Sequence, residues 1–162
     1  MASVGDRALD LALPSTDGEV CLSELLQRGR VLLAFYTEDA TPGCSNEIAA
    51  LKDAAELIDG VSIVGVSTDS VDSHRAFAAK IGGVPFALAS DEEMTAIRAY
   101  DVVSEDDVRR SRRALFVIEQ DGTISYVADP FSVGNTAQGG TWNNPTAIYT
   151  PRFVRWNLTV DF

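Results

Sequence analysis

The spacing of apolar residues changes several times along the chain, and each change marks an element. Leu9, Leu11 and Leu13 alternate with other residues before Pro14, and Asp17-Gly18 supplies a turn, so residues 9–24 read as a short hairpin region. Val31 to Tyr36 is an unbroken apolar run, the mark of a strand covered on both faces. Ile48, Leu51, Ala55 and Ile58 then recur at three- and four-residue spacing, with Glu47, Lys52, Asp53 and Glu56 largely elsewhere, which predicts a helix over 42–59 stopped by Gly60. Val61 to Val66 is the next strand, 71–81 the next helix up to Gly82-Gly83, Pro85 to Leu88 a short strand and 92–100 a further helix. Leu115 to Glu119 and Thr123 to Val127 flank Gln120-Asp121-Gly122, and Asp-Gly between two β-rich runs is a strong hairpin signal.

The order βαβαβαββ predicts an α/β domain with helices on both faces of a mixed sheet, closed by an antiparallel hairpin. The pattern stops after Val127. Residues 128–162 hold both tryptophans and few charges, and only Phe153 to Val160, with two dissimilar alternating faces, reads as a strand. The expected organisation is a domain over 1–127 and an extension over 128–162 that packs on the domain or forms a subunit contact, leaving a monomer or a homodimer.

At 162 residues the chain suits one domain, and its 46% hydrophobic and 23% charged content is that of a globular protein. Thirteen basic against twenty-four acidic residues give a formal charge of −11, which argues against nucleic acid and anionic membranes as partners. The first ten residues resemble no signal peptide and no apolar stretch approaches membrane-spanning length, so a cytoplasmic location is expected. Two cysteines and one histidine are too few for a four-ligand zinc site, and no glycine-rich phosphate loop is present; no metal, flavin or nucleotide cofactor is expected. In a reducing compartment Cys21 and Cys44 rest as thiols.

Cys44 carries the chemical signal. Thr41-Pro42 at the head of the periodic stretch marks a helix start, with Thr41 as N-cap and Pro42 at the first helical position. Cys44 is then the third residue of the helix, where unpaired amides and the helix dipole favour negative charge and depress a thiol pKa. A small buried apolar residue opening a helix is the competing reading, and spacing alone leaves the two close to even.

Phe35-Tyr36 followed by Thr41-Pro42-Gly43-Cys44-Ser45-x-Glu47 resembles the active-site segment of the peroxiredoxins, AhpC/TSA superfamily, in the bacterioferritin-comigratory or Q-type group. Gly65 to Ser70, Ser73-His74-x-x-Phe77, Pro85-Phe86-x-Leu88-x-Ser90-Asp91 and Arg113 to Ile118 with Asp121-Gly122 resemble that group's successive segments, in order, over about residues 5–127. The resemblance implies a thioredoxin-like fold and a thiol-dependent peroxidase acting on hydrogen peroxide or organic hydroperoxides. It implies Cys44 as the sulfur that becomes a sulfenic acid, Thr41 and Arg113 as donors to the reacting oxygens, and Glu47 as the carboxylate orienting Arg113.

Two positions depart from the family pattern. Thr37 stands where the family has proline, which puts the shielding of the sulfur in question, and Ala49 stands where many Q-type members have a resolving cysteine. Cys21 reads as an inert buried residue, so a one-cysteine cycle is expected, with thioredoxin, glutathione or another low-molecular-weight thiol as reductant. A non-catalytic redox-sensing or binding module on the same scaffold is the alternative. His74, on a stripe with Val71, Ala78 and Ile81, reads as packing without a partner in the sequence, and Arg109, Arg110, Arg112 and Arg113 read as a solvated loop entering a strand.

Overall fold

The computed structural model describes residues 2–129, and among these the chain forms β1 (Ala12–Ser15), β2 (Gly18–Cys21), α1 (Leu22–Leu26), β3 (Arg30–Phe35), α2 (Pro42–Ala55), β4 (Val61–Ser67), α3 (Val71–Lys80), β5 (Ala87–Ser90), α4 (Thr95–Ala99), β6 (Ala114–Ile118) and β7 (Ile124–Ala128). The strands make one sheet in the order β2-β1-β5-β4-β3-β6-β7. Pairing of β3 with β4 and of β4 with β5 is parallel, whereas β1 and β6 join antiparallel on the two sides, so the sheet is mixed as expected. The predicted extension lies outside the described residues beyond Asp129.

β3 lacks polar alternation because both its faces are covered. Val31, Leu33 and Phe35 enter one cluster with Leu22, Ala96 and Ile97 from α1 and α4, while Ala34 and Tyr36 enter a second with Cys44, Ile48, Leu51 and Phe77 from α2 and α3. Each large apolar side chain among them, fully buried, contributes roughly 1.5–3 kcal/mol. Gly65 lets α2 lie close on the sheet: a Cβ there would come within 2.7 Å of Leu88 Cδ2 and 3.6 Å of Ile48 Cδ1.

This topology brings three chain ends to one place. β3 and β4 run parallel, so their carboxyl ends, and the loops leaving them, lie side by side, while antiparallel β6 begins at that same end. Phe35 pairs with Ala114, which sets Arg113 level with Tyr36, and Ser111 Oγ donates to the Tyr36 carbonyl at 2.5 Å. The site is built there, at the carboxyl edge of the parallel strands, where open α/β sheets hold ligands.

The elements depart from the sequence reading in four places, each for a local reason. α1 is absent from the expected order, since five residues are too few to show a helical period. α2 ends at Ala55 rather than 59; Leu57 is exposed and Gly60 takes a φ of +75° in the turn entering β4. β5 starts two residues late because Pro85 has no N–H for the ladder, and pairing opens at Val64 with Ala87. α4 is shorter at its start because Asp91 receives Thr95 N–H at 2.7 Å and Ile97 N–H at 2.8 Å, with Met94 left-handed between them.

Candidate active site

Helix α2 opens as its sequence dictates. Thr41 is the N-cap, with extended φ/ψ of −75° and 147°, and Pro42 and Gly43 precede Cys44 in the first turn. The Thr41 hydroxyl makes no cap to the helix amides, contrary to the expected role. It turns instead toward the Glu38 carbonyl, at 3.5 Å, and toward the Cys44 sulfur. With no acid in the first turn, the sulfur is the group that faces the positive end of the helix.

Cys44 is fully buried. Burial pushes its thiol pKa up, but the Glu38 backbone N–H, the Thr41 hydroxyl and the Arg113 guanidinium all favour the anion and bring the net value below the ordinary one. Arg113 Nη2 stands 3.6 Å from Cys44 Sγ. Gly43 makes this approach possible, because a Cβ at 43 would collide with the guanidinium.

Period places Glu47 off the apolar face of α2 and the resemblance puts it against Arg113; its side chain is wholly buried beneath Arg113, with Oε2 3.2 Å from Arg113 Nε. The charges meet but the N–H does not point at the oxygen; neither carboxyl oxygen has a hydrogen-bond partner. Desolvation, then repulsion from Cys44, outweigh attraction to Arg113 and raise the Glu47 pKa to about 8. Two acidic groups thus compete for one cation, and near neutral pH Glu47 holds its proton, which leaves the arginine charge to the sulfur.

The loop between β3 and α2 is tied on two sides. Asp39 lies beneath it, its carboxylate receiving Tyr36 OH at 2.8 Å, Ser73 Oγ at 2.6 Å and His74 Nδ1 at 2.9 Å. His74 is fully buried and its Nε2 meets the Ala89 carbonyl at 3.2 Å, so the reading of an unpartnered packing residue is corrected: its partner stands 35 positions upstream. On the outer side Arg110 reaches Glu38 Oε2 at 2.9 Å and the Thr37 carbonyl at 3.5 Å. Arg112 makes paired bonds to Asp129 at 2.7 and 2.6 Å. Of the four arginines read as a solvated loop, Arg109 alone is largely in water. Tyr36, Asp39, Arg110 and the Glu38 amide escape the sequence reading because nothing local pairs them with Cys44; only the meeting of three chain ends does so.

Cys21 is half-buried on edge strand β2, 3.2 Å from Ser23 Oγ, and lines an open cavity of about 550 Å³ with Asp17, Glu19 and Glu24, so it is not the buried residue expected. At least three strand spacings separate β2 from the strands under α2, about 14 Å at the usual spacing. That exceeds the roughly 7 Å between Cα atoms that a disulfide spans, and both thiols are free. Among the described residues no His, Cys, Asp or Glu cluster could hold a metal ion, and no helix is long and apolar enough to cross a membrane.

Residues 4–127 match the AhpC/TSA family. The chain belongs to that family. Peroxiredoxin Bcp of Escherichia coli K12 is 33% identical over 138 residues, 81% of this chain and 88% of that protein. Among solved structures, peroxidoxin BcpB from Mycobacterium tuberculosis superposes with a TM-score of 0.77 at 29% identity, covering 96% of this chain and 99% of that one. Bacterioferritin comigratory protein of Xanthomonas campestris, described with its alkyl peroxide reduction activity, matches with a TM-score of 0.67 at 28% identity over 76% of this chain and 87% of that one. The chain is therefore a peroxiredoxin of the Bcp or Q type, a thiol-dependent peroxidase with the thioredoxin-like α/β fold. The non-catalytic alternative is not favoured.

Proposed function

We propose that Cys44 is the sulfur that reduces the hydroperoxide, with Arg113, Thr41 and the Glu38 amide as the groups that hold charge on the reacting atoms and Glu47 as the group beneath Arg113. The thiolate attacks the terminal peroxide oxygen and the O–O bond breaks. Its electron pair leaves with the far oxygen, which takes a proton and departs as water or an alcohol; Cys44 becomes a sulfenic acid. Negative charge moves from sulfur to the departing oxygen during this step. A fixed guanidinium close to both, in a buried site, stabilises that movement more than water would. Arginine suits the task because it cannot lose its proton when desolvated.

The observation that carries this reading is Arg113 Nη2 at 3.6 Å from a fully buried sulfur in the first turn of α2. The neutral form of Glu47 supports it, since a protonated carboxyl leaves the arginine charge to the sulfur. The distance between β2 and α2 favours a one-cysteine cycle in which a thiol from thioredoxin or a small molecule attacks the sulfenic acid, releases water, and a second thiol then frees Cys44. A cytoplasmic setting fits two free thiols.

Peroxide consumption with a thiol reductant tests the assignment. Cys44→Ser is expected to abolish it and Cys21→Ser to leave it unchanged, and a sulfenic-acid probe should label position 44. Turnover by Cys44→Ser at the wild-type rate, or a Cys21–Cys44 disulfide after one equivalent of peroxide, would refute it.

A further inference from the structure

We propose that Asp39 and His74 are positioning residues for the nucleophile: the buried pair fixes the 37–41 loop, which leads through the Thr41 cap into the first turn of α2, and so holds the surroundings of the Cys44 sulfur. The inference rests on Cys44 being the reacting thiol, but not on which peroxide it takes.

The proton inventory of the pair is tight. Nε2 of His74 faces a carbonyl, which has no proton to give, so Nε2 donates. Nδ1 faces both Asp39 oxygens, at 3.1 and 2.9 Å, and Tyr36 OH is already directed at Oδ1. The ring has no exposure, and the Tyr36 hydroxyl also lies 3.1 Å from Nδ1, so the three side chains close on one another away from water. Desolvation opposes the Asp39 anion, yet the bonds from His74, Ser73 and Tyr36 leave its pKa below the ordinary value.

The loop needs this hold. Ala40, next to Asp39, sits at φ +60°, a conformation that costs a residue with a Cβ on the order of 1 kcal/mol and persists only where neighbours impose it. Those neighbours are two. The Asp39 side chain is anchored on α3, and its N–H goes to Asp69 Oδ2 at 2.9 Å, which Ser67 Oγ at the end of β4 also bonds at 2.9 Å. One residue before Asp39, the Glu38 N–H is one of the groups that favour the Cys44 anion against its desolvation. Freed from His74, the loop can relax at Ala40 and swing that amide away. Other charges near the pair are Asp69, and Arg110 with Glu38 on the outer side of the loop.

The test is the pH dependence of Cys44 alkylation by iodoacetamide, followed by peptide mapping, in Asp39→Ala, His74→Ala and the milder Ser73→Ala. The expected result is a Cys44 titration moved to higher pH by about one unit in the first two, tenfold in thiolate fraction on the acid side, and by less in Ser73→Ala. Asp39→Asn, which can still accept from Tyr36 and Ser73 while donating to a neutral His74, is expected to recover most of the shift. Leu22→Ala, a cavity in the core on the opposite face of the sheet, serves as the control for lost stability alone and is expected to leave the titration in place. A wild-type titration in folded Ser73→Ala and Asp39→Ala, or an equal shift in Leu22→Ala, would overturn the proposal. If Cys44 proved not to be the peroxide-reactive thiol, Cys44→Ser would stay active while these titrations still moved, so the two failures are separable.

Discussion

Two carboxylates, one on the loop before α2 and one on its second turn, have side chains shielded from solvent, and they are perturbed in opposite directions. Asp39, under the loop, receives three side-chain bonds and is held below its ordinary pKa; Glu47, under Arg113, has an ion-pair contact at 3.2 Å but no hydrogen bond, and rises to about 8. Burial is common to both, so burial does not decide the charge. Directed donors do. A cation that is near but not aligned, and already engaged by a thiolate, is outweighed by desolvation. The consequence is a division of labour in which Asp39 is an anion that builds the loop and Glu47 is a neutral acid that leaves Arg113 to Cys44.

The largest expected effect comes from removing the cation that Glu47 faces and Asp39 does not. Arg113→Ala should lower kcat/KM for peroxide by about 10²–10³, the scale of losing a preorganised donor. Glu47 should then be starved of its attraction while Asp39 is untouched, so the stability of this variant should keep its dependence on Asp39. Stopped-flow peroxide kinetics and urea melts measure the two.

Stability against pH separates the carboxylates next. The fold holds the Glu47 proton more tightly than the unfolded chain does, from 4.5 up to about 8. Stability is therefore lost as pH rises through that window, and Glu47→Gln should remove the loss, making the variant more stable than wild type by a few kcal/mol at pH 8, at about 1.4 kcal/mol per pKa unit, and equal to it below about pH 4. Asp39 has the reverse sign: its anion stabilises the fold above the ordinary carboxylate pKa, and the contribution disappears as pH falls through its lowered value. Asp39→Asn should cost on the order of 1–2 kcal/mol at pH 7 and nothing at the acid end. Parallel denaturant melts of both variants from pH 3 to 9 would show two curves diverging from wild type in opposite directions.

Activity should separate them more gently. If Glu47 is already neutral, Glu47→Gln should stay within about threefold of the wild-type rate at pH 7 and exceed it above pH 8, where the wild-type carboxyl ionises and competes for Arg113. The smallest effect is expected from Arg110→Ala, whose side chain is 31% exposed: about two- to threefold in rate, weakening further with salt in the wild type, as for other partly exposed ion pairs.

Much of this is legible in the sequence, and the limits of legibility are physical. The Thr41-Pro42 start, the apolar run of β3 and the Asp121-Gly122 hairpin are local signals, and the start of α2 and the strands β3, β6 and β7 stand within a residue of their expected places. Cys44 and Arg113 can be named because they fall in motif segments, and they do meet. Glu47 falls in the same motif, which puts it against Arg113, but its complete burial and raised pKa are not legible, because period alone assigns it to the polar face of α2. Asp39 and His74 resist at longer range: a loop acid and a lone helix histidine acquire meaning only when parallel β3 and β4 bring their loops together.

The peroxidase chemistry proposed for position 44 needs a sulfur held as an anion by directed donors despite complete burial. Its most direct measurement is the thiolate absorbance near 240 nm, followed from pH 4 to 10 in Cys21→Ser so that one thiol reports. The expected midpoint lies clearly below the ordinary cysteine value of about 8.5 and moves upward in Arg113→Ala. A midpoint at or above 8.5, unmoved by that substitution, would contradict it.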